Sequence, residues 1–237
     1  MNRNDSTTNG CIVIGTDTEV GKTYATGLIL KELHAFGENC GYFKGAMSGV
    51  QFDAHGQVVA SDAHEVISRA NLTQSPQSAC PYYFEPAVSP HLAARMRAIQ
   101  IDMPTLRSAF EALCSRYDYV VAEGAGGLLC PMNLEGGARF FLVDMISQFG
   151  LPCVLVSHSG LGAINHVGLT AHYLRSRGIR LNALILNHYD ANDPICRDNL
   201  TVCRELAQAP ITLTLAQGQE DLGLSHAELT SIFARVG

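Results

Sequence analysis

The sequence predicts an α/β fold: one mostly parallel sheet with helices on both of its faces. Two observations predict it. Short, near-continuous apolar runs alternate with longer stretches whose apolar residues recur at helical spacing, and fully apolar strands are those buried on both faces of a parallel sheet. No repeat period and no Pro/Gly/Ser-rich linker divides the 237 residues, a length suited to one large α/β domain. Hydrophobic residues make up 47% of the chain and charged residues only 16%, a balance that feeds a packed core and excludes a disordered or coiled-coil chain. The organisation expected is a flexible polar leader over residues 1–10, MNRNDSTTNG, and a single domain over 11–237.

The elements follow in order. CIVIG (11–15) reads as a strand. Lys22 to Phe36 reads as a helix, with Ala25, Leu28, Ile29 and Leu33 at helical spacing and Gly37 as its stop. NCGYFK (39–44) is a second strand, and residues 62–70 and 104–116 are helical. YDYVVAEG (117–124) is a strand ending in an acid. LPCVLVS (151–157) is a strand and Gly162 to Arg177 a helix. IRLNALILN (179–187) is a strand, 195–208 a helix, ITLTL (211–215) a strand, and 225–235 a final helix.

Several function classes are excluded. The net charge is −6 with no basic cluster, and nucleic acid needs clustered Lys and Arg to neutralise its phosphates. No apolar run reaches membrane-spanning length, and the first ten residues lack the apolar core of a signal peptide, so a cytoplasmic location is expected. The eight cysteines form no CxxC pair and read as small buried hydrophobes. The nine histidines show no HExxH and no metal-ligand spacing. His91 and His166 read as packing or loop residues.

Parallel sheets bind ligands beyond the carboxyl ends of their strands. Those ends are Gly15, Lys44, Glu123, Ser157 and Asn187, which are therefore expected to converge. Between the first strand and the first helix lies GTDTEVGKT (15–23). Its Gly21-Lys22-Thr23 tail follows phosphate-loop logic: backbone N–H groups and the helix N-terminus take phosphate oxygens, Lys22 reaches the β/γ phosphates, and Thr23 offers a hydroxyl to Mg²⁺. Five residues rather than four separate Gly15 from Gly21, so Thr16 stands at the usual first-glycine position. The plain alternative is a glycine-bearing turn with a solvated lysine. The acid Glu123, after an apolar strand and before Gly124, mirrors the metal-binding strand of P-loop enzymes. Asp62 taken alone is equally a helix N-cap. Lys44 taken alone is equally an exposed strand end, and Asn187 a turn residue.

The set of motifs resembles the dethiobiotin synthetases. The lengthened loop GTDTEVGKT is present without change. Lys44 and Ser48 stand in FKGAMSG (43–49), Ser61-Asp62-Ala63 and Ser89-Pro90-His91 follow in order, and EGAGG occupies 123–127 with Pro131 after it. Leu161-Gly162-Ala163-Ile164-Asn165-His166 and Asn187 complete the series. The match runs from about residue 11 to 190. Three departures accompany it: ITLTLAQGQEDLG replaces the usual Ile-Pro turn near the base pocket, Gly45 replaces a proline, and Leu128 replaces an aromatic.

The resemblance implies a single P-loop domain that closes the ureido ring of dethiobiotin from 7,8-diaminononanoate and CO₂ or bicarbonate, with ATP and Mg²⁺. Lys44, Lys22 and Thr18 would be the catalytic groups. Thr16, Glu19, Val20, Gly21, Lys22, Thr23, Tyr24, Glu123, Gly124, Gly126 and Asn187 would hold the nucleotide. Thr18, Lys44, Ser48, Gly126, Gly127, Leu161, Gly162 and Asn165 would hold the substrate, the last three contributed across a homodimer. Thr23, Asp62 and Glu123 would hold the metal. Two other P-loop readings compete. A cobyrinate-synthase-type amidoligase is expected to add a glutaminase domain, for which 237 residues leave no room. A partitioning-type ATPase switch is expected to carry a lysine early in its loop, where this chain has Asp17-Thr18-Glu19-Val20.

Overall fold

The computed structural model describes residues 8–137 and 139–236. Its central sheet contains β1 (Asn9–Gly15), β2 (Cys40–Lys44), β3 (Tyr119–Glu123), β4 (Cys153–His158), β5 (Leu181–Asn187), β6 (Ile211–Leu215) and β7 (Ala234–Arg235). The order is β6-β5-β4-β1-β3-β2, all parallel. The chain leaves β1 for the far edge, returns to lay β3 beside it, then crosses to the other side. That reversal at β1 is the place where an open α/β sheet offers a crevice to a ligand.

The α-helices among the described residues are α1 (Lys22–Ala35), α2 (Asp62–Arg69), α3 (Pro90–Met96), α4 (Met103–Cys114), α5 (Leu142–Phe149), α6 (Ala163–Ser176), α7 (Pro194–Ala207) and α8 (His226–Ser231). The period-2 alternation of the strands divides the core into two layers. Cys11, Val13, Tyr42, Val121 and Val156 face α1, α2 and α8 through Leu28, Ile29, Leu33, Val66 and Leu229. Ile12, Ile14, Phe43, Val120 and Leu155 face the other helices through Leu106, Phe110, Ile146, Val167 and Leu174. Helices therefore cover both faces, as the apolar strands required. Where side chains cap a helix they are of the expected kind: Asp102 accepts from Thr105 N, and Asp193 accepts from Ile195 N, each followed by a proline in the first turn.

Three differences from the sequence reading have physical causes. β1 begins at Asn9, so residues 9 and 10, expected in the leader, pair with Tyr119 and Val120. Thr8 is buried there too, its hydroxyl donating to Cys114 O at 2.6 Å. Residues 1–7 of the expected leader lie outside the described residues. The helix expected over 225–235 stops at Ser231, and Ala234–Arg235 forms β7, antiparallel to Gly10 and Asn9. β4 engages β1 only from Ile12 onward, so the start of β1 has an open edge that the end of the chain fills. Finally, α3 and α5 fall in stretches the sequence reading left unassigned. Among the described residues no helix is long and apolar enough to cross a membrane.

Candidate active site

Register brings the strand ends together. Lys44 on β2 is the direct partner of Glu123 on β3, and Glu123 is the partner of Val13 on β1. Partners in a parallel ladder point to the same face, so the ammonium of Lys44 and the carboxylate of Glu123 meet beside the loop that follows β1. Lys44 Nζ donates to Glu123 Oε1 at 2.6 Å and also forms an ion pair with Asp62 Oδ2. Thr23 Oγ1 donates to the same Glu123 Oε1 at 2.9 Å, and the Tyr42 hydroxyl donates to Oε2 at 2.9 Å. Glu123 is 1% exposed and Lys44 5%, so each charge is tolerable only because the other is present. Burial opposes the ammonium of Lys44, but Glu123 and Asp62 outweigh it and hold its pKa above the ordinary lysine value. Burial first, then the negative charge of Glu123, pushes the Tyr42 phenol well above its usual range, which keeps it a hydrogen-bond donor.

The plain readings of these residues give way. Lys44 is not an exposed strand end. Asp62 is not the N-cap of α2: Ser61 holds that position and Asp62 is the first helical residue, turned toward Lys44. Lys22 is only 8% exposed, and its Nζ donates to Asp17 O at 2.7 Å, folding back over the loop. Burial, and next the neighbouring charge of Lys44, lower its pKa. A phosphate would relieve both effects by adding negative charge.

The lengthened loop turns at Glu19, whose φ is 58°, and reaches α1 through Gly21 at φ 96°. A Cβ on Gly21 would stand 2.1 Å from Asn187 Nδ2, which itself donates to Val20 O at 3.0 Å. The loop is thus pinned from behind by the end of β5, at a point where only glycine fits. Gly21→Ala is expected to cost about 1–3 kcal/mol, the scale of backbone strain at such a site, and to weaken ATP binding. Denaturant unfolding and titration calorimetry check this; an alanine variant as stable as the parent would remove the pinning contact from the account.

These groups surround a cleft of about 640 Å³. Thr18, Glu19, Gly21, Lys22, Thr23 and Tyr24 line one side of it, and Lys44, Ser48, Asp62, Glu123 and Gly126 the other. Other expected site residues lie behind its wall. Thr16 Oγ1 donates to Ser157 Oγ at 3.2 Å, Val20 is buried under the loop, Gly124 packs on Leu142, and Gly127 backs onto Thr16 O. Asn187 lies behind the loop as well. Leu161, Gly162 and Asn165 are exposed at the start of α6 and do not line this cleft. His91 and His166 do not line it either.

The sequence reading passed over Tyr42. Its signal was its place two residues before Lys44 on one strand, which puts both side chains on the same face. It also passed over Gln74, whose carboxamide accepts from Tyr42 N at 2.7 Å and donates to Tyr42 O at 2.9 Å. No local sequence pattern marks that contact, since 32 residues separate the two.

A protein-family model described as an AAA domain matches residues 9–217. The ATP-dependent dethiobiotin synthetase of a Clostridium botulinum strain is 39% identical over 227 residues, which cover 96% of this chain and 99% of that protein. The ATP-dependent dethiobiotin synthetase of a Clostridium perfringens strain is 40% identical over 197 residues, covering 83% and 86%. Among solved structures, the MinC:MinD cell division complex of Aquifex aeolicus overlays with a TM-score of 0.52 at 13% identity, covering 94% of this chain and 85% of that one. A nucleotide-binding protein in complex with ADP from Archaeoglobus fulgidus gives 0.51 at 13% identity, covering 96% and 87%. These two likenesses are of fold alone.

Proposed function

We infer the chemistry from kinship and site together, starting from the premise that this chain belongs to the ATP-dependent dethiobiotin synthetase family. It is an ATP-using ligase of biotin biosynthesis. Beyond that, we propose that 7,8-diaminononanoate and CO₂ are its other substrates. One amine takes up CO₂ and loses a proton, giving a carbamate. A carbamate oxygen attacks the γ-phosphorus and ADP departs. The second amine then attacks the carbonyl carbon of the mixed anhydride, phosphate leaves, and the ring is closed.

The single observation that carries this reading is the cluster beside the P-loop, in which buried Lys44 and Glu123 meet the half-buried Asp62 and Thr23. None of these steps needs a protein nucleophile. They need phosphate charge neutralised and two reactants held in line. Lys22 and the loop amides hold the phosphates, while Glu19, Val20, Tyr24 and Asn187 frame the nucleotide. Lys44, already protonated and held at a strand end, stabilises charge as it builds on the carbamate and transferring phosphoryl oxygens. Thr18 and Ser48 hydrogen-bond the carbamate and amines, and Gly126, on the cleft wall, admits the substrate close to the backbone.

The donor chemistry fits Mg²⁺. The hydroxyl of Thr23 and the carboxylates of Asp62 and Glu123 are hard oxygen ligands, and Thr23 Oγ1 and Glu123 Oε1 already lie 2.9 Å apart. Among the described residues no group of three or more His, Cys, Asp and Glu gathers as a metal site; the proposed set has two carboxylates and a hydroxyl, and nucleotide oxygens and water would supply the rest. When bound, the ion neutralises phosphate charge. Glu123→Gln is expected to raise the Mg²⁺ concentration for half activity about tenfold or more, with circular dichroism unchanged. An unaltered Mg²⁺ requirement removes Glu123 from the ligand set.

We propose a homodimer in the cytoplasm, with the start of α6 from one subunit completing the site of the other. Its free N–H groups and helix dipole suit the substrate's remote carboxylate. Exposed Leu161, 88% accessible, and Leu169 give that end of the helix an apolar surface suited to a second copy. The reading as a whole is tested by phosphate release. Release that requires the diamine supports ring closure; ATP hydrolysis at full rate without it points to a nucleotide switch instead.

A further inference from the structure

We propose that Tyr42, held by Gln74, is a positioning residue that fixes the carboxylate of Glu123 for the metal and for Lys44. The proposal rests on the reading of Glu123 as a metal ligand and extends it one layer outward.

Glu123 uses its two oxygens differently. Oε1 faces the cleft and takes Thr23 Oγ1 at 2.9 Å and Lys44 Nζ at 2.6 Å. Oε2 takes the Tyr42 hydroxyl at 2.9 Å. Tyr42 is wholly buried and Glu123 nearly so, so no water competes for that contact. Rotation of the carboxylate about its last bond would break the Tyr42 contact in a site without water to replace it, which keeps Oε1 with Thr23 and Lys44. Ligands of metal ions are commonly oriented by such outer partners.

Tyr42 is in turn fixed at its backbone. β2 is the edge of the sheet, and an edge strand leaves N–H and C=O groups unpaired. Here Gln74, 3% exposed, stands in for the missing neighbour strand with both ends of its amide, at 2.7 and 2.9 Å from Tyr42 N and O. Two residues on, Lys44 N donates to Ala79 O at 2.8 Å. The segment after α2 therefore closes the edge at the two β2 residues whose side chains reach Glu123. A packing role alone would require the aromatic ring but neither the hydroxyl nor the amide.

The test compares Tyr42→Phe, Gln74→Met, Glu123→Gln and the double variant Tyr42→Phe/Glu123→Gln. Mn²⁺ binding in the presence of ADP is followed by electron paramagnetic resonance, alongside kcat and KM for the diamine. Tyr42→Phe is expected to weaken Mn²⁺ about tenfold, the usual scale for losing an outer-shell partner, and to lower kcat while leaving the diamine KM within about twofold. Gln74→Met should move both in the same direction by less. In the Glu123→Gln background, Tyr42→Phe should add nothing, because its effect runs through the carboxylate. Unchanged Mn²⁺ affinity in Tyr42→Phe, with Glu123→Gln clearly weakened, overturns the positioning role and leaves the metal assignment standing. Unchanged affinity in Glu123→Gln overturns both. If Tyr42→Phe does not fold, Gln74→Met decides: normal Mn²⁺ affinity there overturns the proposal.

Discussion

Replacing Lys44 with Gln is expected to lower turnover about 10²–10³-fold, the scale for removing one preorganised donor from a developing charge, with far less change in ATP affinity. The ammonium sits between Glu123 and Asp62 at the end of β2, opposite the phosphate loop. It has two consequences when removed. The reaction loses the charge proposed to stabilise the carbamate and transferring phosphoryl group. The fold loses the counter-charge of a carboxylate that is 1% exposed, and breaking such a buried pair costs about 3–5 kcal/mol when nothing replaces it. Glutamine restores a neutral donor, so Lys44→Gln should stay folded where Lys44→Met is strongly destabilised. The pH profile separates Lys44 from other groups. Its pKa is raised above the ordinary value, because Glu123 and Asp62 outweigh the cost of burial. Its contribution is therefore complete below the unfolded-state pKa and is lost only as pH rises through the higher folded value. No limb of the neutral pH–rate profile should belong to it. Normal turnover in Lys44→Gln would remove the residue from the chemistry.

Subunit mixing is expected to restore about one quarter of parental activity to two inactive proteins. The residues proposed to hold the substrate's carboxylate, Leu161, Gly162 and Asn165, are exposed at the start of α6 and do not line the cleft of their own chain. A site completed by the neighbour accounts for this. Lys44→Gln, which stays folded, disables one half of the site. For the other half, Gly162 is a poor position to alter, since its φ of 90° would strain any side chain. Asn165 is an exposed residue of the first helical turn, and Asn165→Asp keeps its shape while adding a charge that repels a carboxylate. Each variant alone should be nearly inactive at low diamine. After exchange about half of the dimers are mixed, and each mixed dimer has one wholly intact site and one doubly altered site, which gives the quarter. If both residues serve the same subunit's site, mixing restores nothing.

The main sheet was legible because its strands are buried on both faces and so read as unbroken apolar runs; CIVIG and LILN allow no other reading beside amphipathic helices. The phosphate loop was legible because its chemistry is local, with glycine, lysine and threonine in consecutive positions. What escaped depends on distance along the chain. β7 looked helical because two residues carry no period, and only the open edge of β1 makes them a strand. Lys44 and Asp62 were ambiguous because neither has a neighbour in sequence that neutralises it; their partners lie 79 and 18 residues away. Tyr42 and Gln74 look like ordinary strand and loop residues until the edge of the sheet is drawn. Asn187 is expected at the nucleotide, and no local pattern shows that its amide nitrogen also braces the loop that would hold the phosphates.

The most direct test of ring closure in this cleft uses carbon-labelled bicarbonate, 7,8-diaminononanoate and MgATP, with products read by mass spectrometry. The expected result is a ureido product carrying one labelled carbon, formed in step with one ADP and one phosphate and formed about 10²–10³-fold more slowly by the folded Lys44→Gln variant. ADP and phosphate released without labelled product, or product formed equally well by Lys44→Gln, would contradict the account.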